Sequence, residues 1–290
     1  MSVFDPRICT LGEGALWHPE RRALFWFDVA GRRLLSRCPE TGETHDYALP
    51  EICSAAAWID RDRLLIASET GLSVFDLEAG RFLLRLADLE ADNPDTRTND
   101  GRADPWGGFW IGTMGREAEP GAGAIYRLYG GELRRLFDNI SVPNGICFAP
   151  DGSCAYHADT DRGLMFRTAL NRNGWPQAEP EPFVDFSRIG FWPDGAVTLS
   201  DGSLRVALWG EGAVIAVSPV GEVGARKTFD APQTTCPAMG GEDYLTLFCT
   251  SAAQGLSPAR IAEAPLSGAV FAVEETVPGR PEPAFRPGPA

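Results

Sequence analysis

Residues 143–157 read PNGICFAPDGSCAYH, and the interpretation of this stretch decides the fold. Asn144-Gly145 is followed by a short apolar run, a second turn pair at Asp151-Gly152, and a β-rich run, Cys154-Ala155-Tyr156-His157. Asp-Gly between two strand-like runs is a hairpin signal. The hairpin needs only the second pair, so Asn144-Gly145, which precedes the first strand, calls for another explanation. The same arrangement recurs at 12–22 (GEGALWHPERR), 99–108 (NDGRADPWGG) and 193–202 (PDGAVTLSDG). Glu13, Asp100, Asn144 and Asp194 stand before the register glycine, and a turn position follows each after seven residues, at Glu20, Gly107, Asp151 and Asp201.

Working outward, turns fall near 18–22, 60–63, 105–108, 150–153, 200–203 and 241–244, about 41 to 50 residues apart. A β-rich run follows every turn, and a second run follows the first. This period is that of a four-stranded propeller blade. Six units predict an all-β fold: a six-bladed β-propeller with four-stranded antiparallel blades around a central channel. Residues 3–9 are expected to supply an outer strand to the last blade, since an open ring would leave unpaired edges. The domain reading is a single propeller over 1–277 and a Pro/Gly-rich tail over 278–290, expected to be frayed. Phe25, Trp26, Trp58, Trp110, Tyr156 and Trp209 are expected to pack between blades.

The chain has 290 residues, of which 32 are Gly and 23 Pro, spread along it as a turn-rich fold requires. The net charge of −14 speaks against nucleic acid and anionic membrane surfaces as partners and favours a neutral substrate or a cation. No 18-residue apolar run suggests a transmembrane helix. The first residues, MSVFDPRICTLGEG, lack the basic and apolar regions of a secretory signal. A cytoplasmic, monomeric protein is expected, its seven cysteines reduced and, lacking a CxxC pair, not zinc-binding.

In a propeller the inner strand of each blade lines the channel. The register therefore points Glu13, Asp100, Asn144 and Asp194 toward one axial pocket. The equivalent stretches near Ser54 and Thr235 have no carboxylate, so the site is one-sided. Oxygen ligands of this kind suit one divalent cation: Ca²⁺, Mg²⁺, Mn²⁺, Fe²⁺ or Zn²⁺. Asp159 is read as a supporting acid, His157 as a packed strand residue, and His18 and His45 as surface residues. No Gly-x-Ser-x-Gly motif is present to support a serine hydrolase.

Taken together and in order, LGEGALWH (11–18), RTNDGRADPWGGFWIGTM (97–114), VPNGICFAPDG (142–152) and FWPDG (191–195) resemble the senescence marker protein/gluconolactonase/regucalcin-like family of six-bladed propellers. The resemblance implies a divalent metal held by Glu13, Asn144 and Asp194, and hydrolysis of a sugar lactone of the aldonolactone, gluconolactone or pentonolactone type, a step of carbohydrate metabolism. It also implies substrate binding by Arg97, Asn99 and Glu117. Asp194 is the expected general base, or else supports a metal-bound hydroxide. Two other readings stand beside this one: a non-catalytic Ca²⁺- or small-ligand-binding propeller, and a metal-dependent aryl ester or organophosphate hydrolase on the same site.

Overall fold

The computed structural model describes residues 1–288. Six four-stranded antiparallel sheets stand in a ring, one for each repeat. The inner strands are Gly12–His18, Cys53–Asp60, Thr96–Ala103, Pro143–Phe148, Pro193–Thr198 and Thr234–Gly240, belonging to blades 1 to 6 in that order. The ring closes as expected. Ser2–Asp5 pairs antiparallel with Val270–Glu274, so the N-terminal segment is the outermost strand of blade 6.

Burial explains why the repeats read as they do. The second strand of blade 1, Ala23–Asp28, is buried at every position, because both of its faces meet neighbouring sheets. Such strands are continuous apolar runs rather than alternating ones. The outer strand Thr44–Ala48 alternates between exposed and half-buried residues. Trp26, Trp110, Phe25 and Tyr156 are buried in core clusters shared by neighbouring blades, as expected. Each such burial contributes about 1.5–3 kcal/mol.

Several buried charges away from the channel mouth are paired. Arg127 and Asp104 are both fully buried and 2.7 Å apart, and the Arg127 guanidinium lies 4.4 Å from the rings of Tyr129 and Trp175. Arg205 meets Glu275 through two bonds of 2.9 and 3.0 Å. All seven cysteines are unpaired, and six of them are buried. Among the described residues, no helix is long and apolar enough to cross a membrane.

Two expectations are corrected. His18 is fully buried, not on the surface. Its ring lies between Phe25 and Trp58, with Nε2 3.0 Å from the Asp60 carbonyl and Nδ1 accepting from the Arg21 N–H. The hairpin of blade 1 folds against blade 2, which covers a residue that looks terminal in its own repeat.

The tail over residues 278–288 is seated, not frayed. Main-chain bonds tie Pro278 to Ser200, Gly279 to Tyr244, Phe285 to Trp58 and Arg286 to Gly107. Phe285 is buried against blades 2 and 3, and the Glu282 carboxylate pairs with the Arg102 guanidinium. Arg102 also donates to the carbonyls of Ile146 and Ala196, so it links blades 3, 4 and 5 at the channel. Composition marks the tail as loose. The two side chains that anchor it, Glu282 and Phe285, are isolated among prolines and leave no periodic signal.

Candidate active site

At the end of the channel away from the hairpin turns, a cavity of about 310 Å³ is lined by Glu13 from blade 1, Arg97 and Asn99 from blade 3, Asn144 from blade 4 and Asp194 from blade 5. These residues do not precede the inner strands, as the repeat suggested, but lie within them. Every inner strand breaks register near this point, between Glu13 and Leu16, Thr98 and Gly101, Asn144 and Cys147, and Pro193 and Ala196 in the four blades concerned. A β-bulge bends a strand and re-aims a side chain. Here it turns one side chain per blade toward the channel axis.

The glycine in the register has a physical cause. Gly14 and Gly145 adopt φ of 60° and 61°, a region that other residues enter at a cost. A Cβ on Gly14 would lie 2.3 Å from the Ser54 carbonyl of the next blade. Only glycine lets Glu13 swing inward while blade 2 stays close.

A chain of hydrogen bonds sets the amides. Thr160 Oγ1 donates to the Pro193 carbonyl at 2.7 Å and accepts from Asn144 Nδ2 at 2.8 Å. This fixes Asn144 with Oδ1 toward the cavity, where it accepts from Asn99 Nδ2 at 3.1 Å. Asn99 Nδ2 also donates to the Pro143 carbonyl, and Asn99 Oδ1 accepts from Arg97 Nη1 at 3.1 Å. The remaining Arg97 nitrogens have no acceptor among the described residues.

The carboxylates are left wanting. Asp194 is 3% exposed, and its buried Oδ1 has no hydrogen-bond partner. Glu13 Oε2 accepts only from its neighbour's Gly14 N–H, at 3.3 Å. Burial, and then the charge of Asp100, push the Glu13 carboxyl up to about 8. Burial, reinforced by Glu13 and Asp100, lifts Asp194 well above the usual carboxylate range. Burial holds the Arg97 pKa below its usual value, against the pull of Glu13. Such shifts mark groups that a ligand is expected to neutralise.

Asp100 takes a different place from its register equivalents. It does not line the cavity. Its Oδ2 accepts from the Ile146 N–H at 2.8 Å, deeper in the channel. Burial raises its pKa, and Arg102 draws it back down. Asn99, one residue earlier, points into the cavity instead. Asp159 also stays outside: it accepts from the N–H groups of Ser141 and Val142 and holds the strand entry that carries Asn144. His157 is buried and stacked between Phe137 and Phe166. Glu117 is exposed and not part of the cavity lining, to which its loop contributes Ala118, at φ 59°.

Sequence reasoning missed Leu11 and Trp209 on the apolar side of the cavity, which Trp192 completes. Trp209 was expected only to pack between blades. It does so in part and also faces the cavity. Its place just past the end of a strand, at the same end as Asp194, was the available signal.

Among the described residues, no three of His, Cys, Asp and Glu converge as a metal cluster. The set here has two carboxylates and one amide oxygen. The fit rests on charge. Glu13, Asp100, Asp194 and Glu282 gather along the channel with only Arg97 and Arg102 to offset them. When all six are ionised, an excess of two negative charges remains. A divalent cation among Glu13, Asn144 and Asp194 matches both that excess and the unpartnered Asp194 oxygen.

Residues 11–253 match the family model described as the SMP-30/Gluconolactonase/LRE-like region. A Rhizobium meliloti protein provisionally named a sugar lactone lactonase is 42% identical, over 95% of this chain and 94% of that one. The L-arabinolactonase of Azospirillum brasilense is 36% identical, over 91% of this chain and 88% of that one. Among solved structures, a calcium-binding protein of Agrobacterium tumefaciens described as regucalcin superposes with a TM-score of 0.96 at 40% identity, covering 98% of this chain and 97% of that one.

Proposed function

The chain belongs to the SMP-30/gluconolactonase/LRE-like family and is a sugar lactonase, and on that footing we propose that it opens an aldonolactone ring with the help of one divalent cation. The observation that carries the proposal is the buried, unpartnered Oδ1 of Asp194 beside Glu13 and Asn144. Glu13, Asn144 and Asp194 would hold the ion. When bound, it supplies a Lewis acid for the ester carbonyl.

The chain's own residues do the rest. The free Arg97 nitrogens and Asn99 face the cavity, where they meet ring hydroxyls and orient the lactone. Thr160 keeps the Asn144 oxygen turned inward. Asp194 acts as general base: a water oxygen bonds to the carbonyl carbon while the water's proton passes to the carboxylate. The ring C–O bond then breaks, and the ring oxygen takes that proton to leave a hydroxy acid. Burial and neighbouring carboxylates raise the proton affinity of Asp194, which suits it to this part, and a bound cation tempers the effect.

The test is acid release from an aldonolactone panel in a pH-stat, with EDTA and with divalent ions restored. Release abolished by EDTA and recovered with one ion supports the proposal. Ion binding without turnover of any lactone would make the chain a binding propeller. Turnover unaffected by EDTA would remove the metal.

A further inference from the structure

The two sides of the cavity differ in chemistry. Arg97 and Asn99 project from blade 3. Leu11, Trp192 and Trp209 face them from the arc of blades 5, 6 and 1, and Leu11 is bridged to Ala252 of blade 6. Trp192 is 46% exposed, a large apolar ring left at the mouth of a polar site. It stands two residues before Asp194. The Trp209 N–H donates to the Trp192 carbonyl at 2.9 Å, so the two residues flank the paired strand ends at Pro193 and Leu208. Trp209 is half-buried and packs on the core cluster that contains Leu11, which gives it a fixed position. Among the described residues, neither indole N–H has an acceptor in the protein.

We infer that Trp192 and Trp209 form the sugar-facing wall of the site and restrict it to uncharged, monosaccharide-sized lactones; this rests on the lactonase reading above. The face of an indole ring is negative, so it attracts the C–H face of a sugar ring and repels a carboxylate, sulfonate or phosphate. The cavity offers such a group no net positive charge. Its lining has one cation, Arg97, against Glu13, Asp161 and Asp194, and Arg97 Nη1 already donates to Asn99 and to the Thr98 carbonyl. A divalent ion brings that balance to zero, not to an excess that would hold an anion. The volume of about 310 Å³ lies at the small end of ligand pockets, about 300–1,000 Å³, which suits an occupant of one ring.

The experiment compares wild type with Trp192→Ala, Trp209→Ala and Trp209→Phe. Kinetics are measured on a neutral aldonolactone and on the same ring carrying a terminal carboxylate. Binding of the neutral sugar lactam, which keeps the ring but resists hydrolysis, is followed by calorimetry. The expected result is a rise in KM and a loss of lactam affinity of about tenfold in each Ala variant, with kcat within about twofold. Trp209→Phe recovers most of the affinity, and wild type prefers the neutral lactone at least tenfold. Unchanged KM and lactam affinity in both Ala variants overturn the wall, as does equal turnover of the charged lactone by wild type. If wild type hydrolyses neither lactone but binds the lactam, and the Ala variants lose that binding, the reaction assignment falls while the wall stands.

Discussion

The two ends of the channel hold similar residues in opposite states. At the turn end, Glu282 and Arg102 are paired, and Arg102 finds two further carbonyl acceptors. At the open end, Glu13 has one weak bond to its own backbone, and Asp194 has an oxygen with no partner. The first arrangement secures the ring. The second is poorly satisfied on its own, which marks a place kept ready for a ligand. The contrast shows that polar satisfaction, more than residue type, separates structural charge from functional charge in this channel.

The largest expected effect tests the open end. Asp194→Ala should lower lactone turnover about a thousandfold or more while the melting temperature is kept or raised, because a strained buried carboxyl is removed. A large fall in stability would place Asp194 with the structural charges. At the other end, Glu282→Gln leaves Arg102 buried without its counter-charge. Denaturant unfolding should show a loss of about 3 kcal/mol. Turnover per folded molecule should change little, and an unchanged denaturation midpoint would erase the contrast.

Glu13→Gln sharpens the comparison. Removing one negative ligand should weaken divalent-ion affinity about a hundredfold in a titration. Thr160→Val, which frees the Asn144 amide to rotate, should weaken it about tenfold. Equal affinity in wild type and both variants would move the ion elsewhere.

The smallest effect is in pH dependence. Glu13 has a reference value of 4.5 and is pushed up to about 8 in the folded chain. The folded state therefore binds the proton more tightly than the unfolded one. The resulting stability is complete below about pH 4.5 and is lost as pH rises through 8. EDTA-treated protein should melt at progressively lower temperature over that window, and a saturating divalent ion should flatten the slope by taking the proton's place. A slope of opposite sign would show Glu13 stabilised as a carboxylate by a partner in the protein.

The blades were legible because each repeat carries its own turn and its own apolar runs, from Ala23–Asp28 in blade 1 to Thr246–Ser251 in blade 6. The lining residues Glu13, Asn144 and Asp194 were legible for the same reason: a bulge recurs with the repeat, so its inward position recurs too. Asn99 and Asp100 could not be told apart, since the register breaks between Thr98 and Gly101 and decides which of them faces the cavity. His18 and Glu282 were misjudged because their partners, Asp60 and Arg102, lie in other blades. Contacts between repeats leave no periodic trace.

The seated tail also governs traffic. Arg102 and the segment around Glu282 meet at the turn end of the channel and tie three blades together there, which leaves the cavity end as the expected doorway. Reactant and product share one doorway and cannot pass in single file. The newly made sugar acid must back out before another lactone enters, so it should obstruct the enzyme as a purely competitive inhibitor.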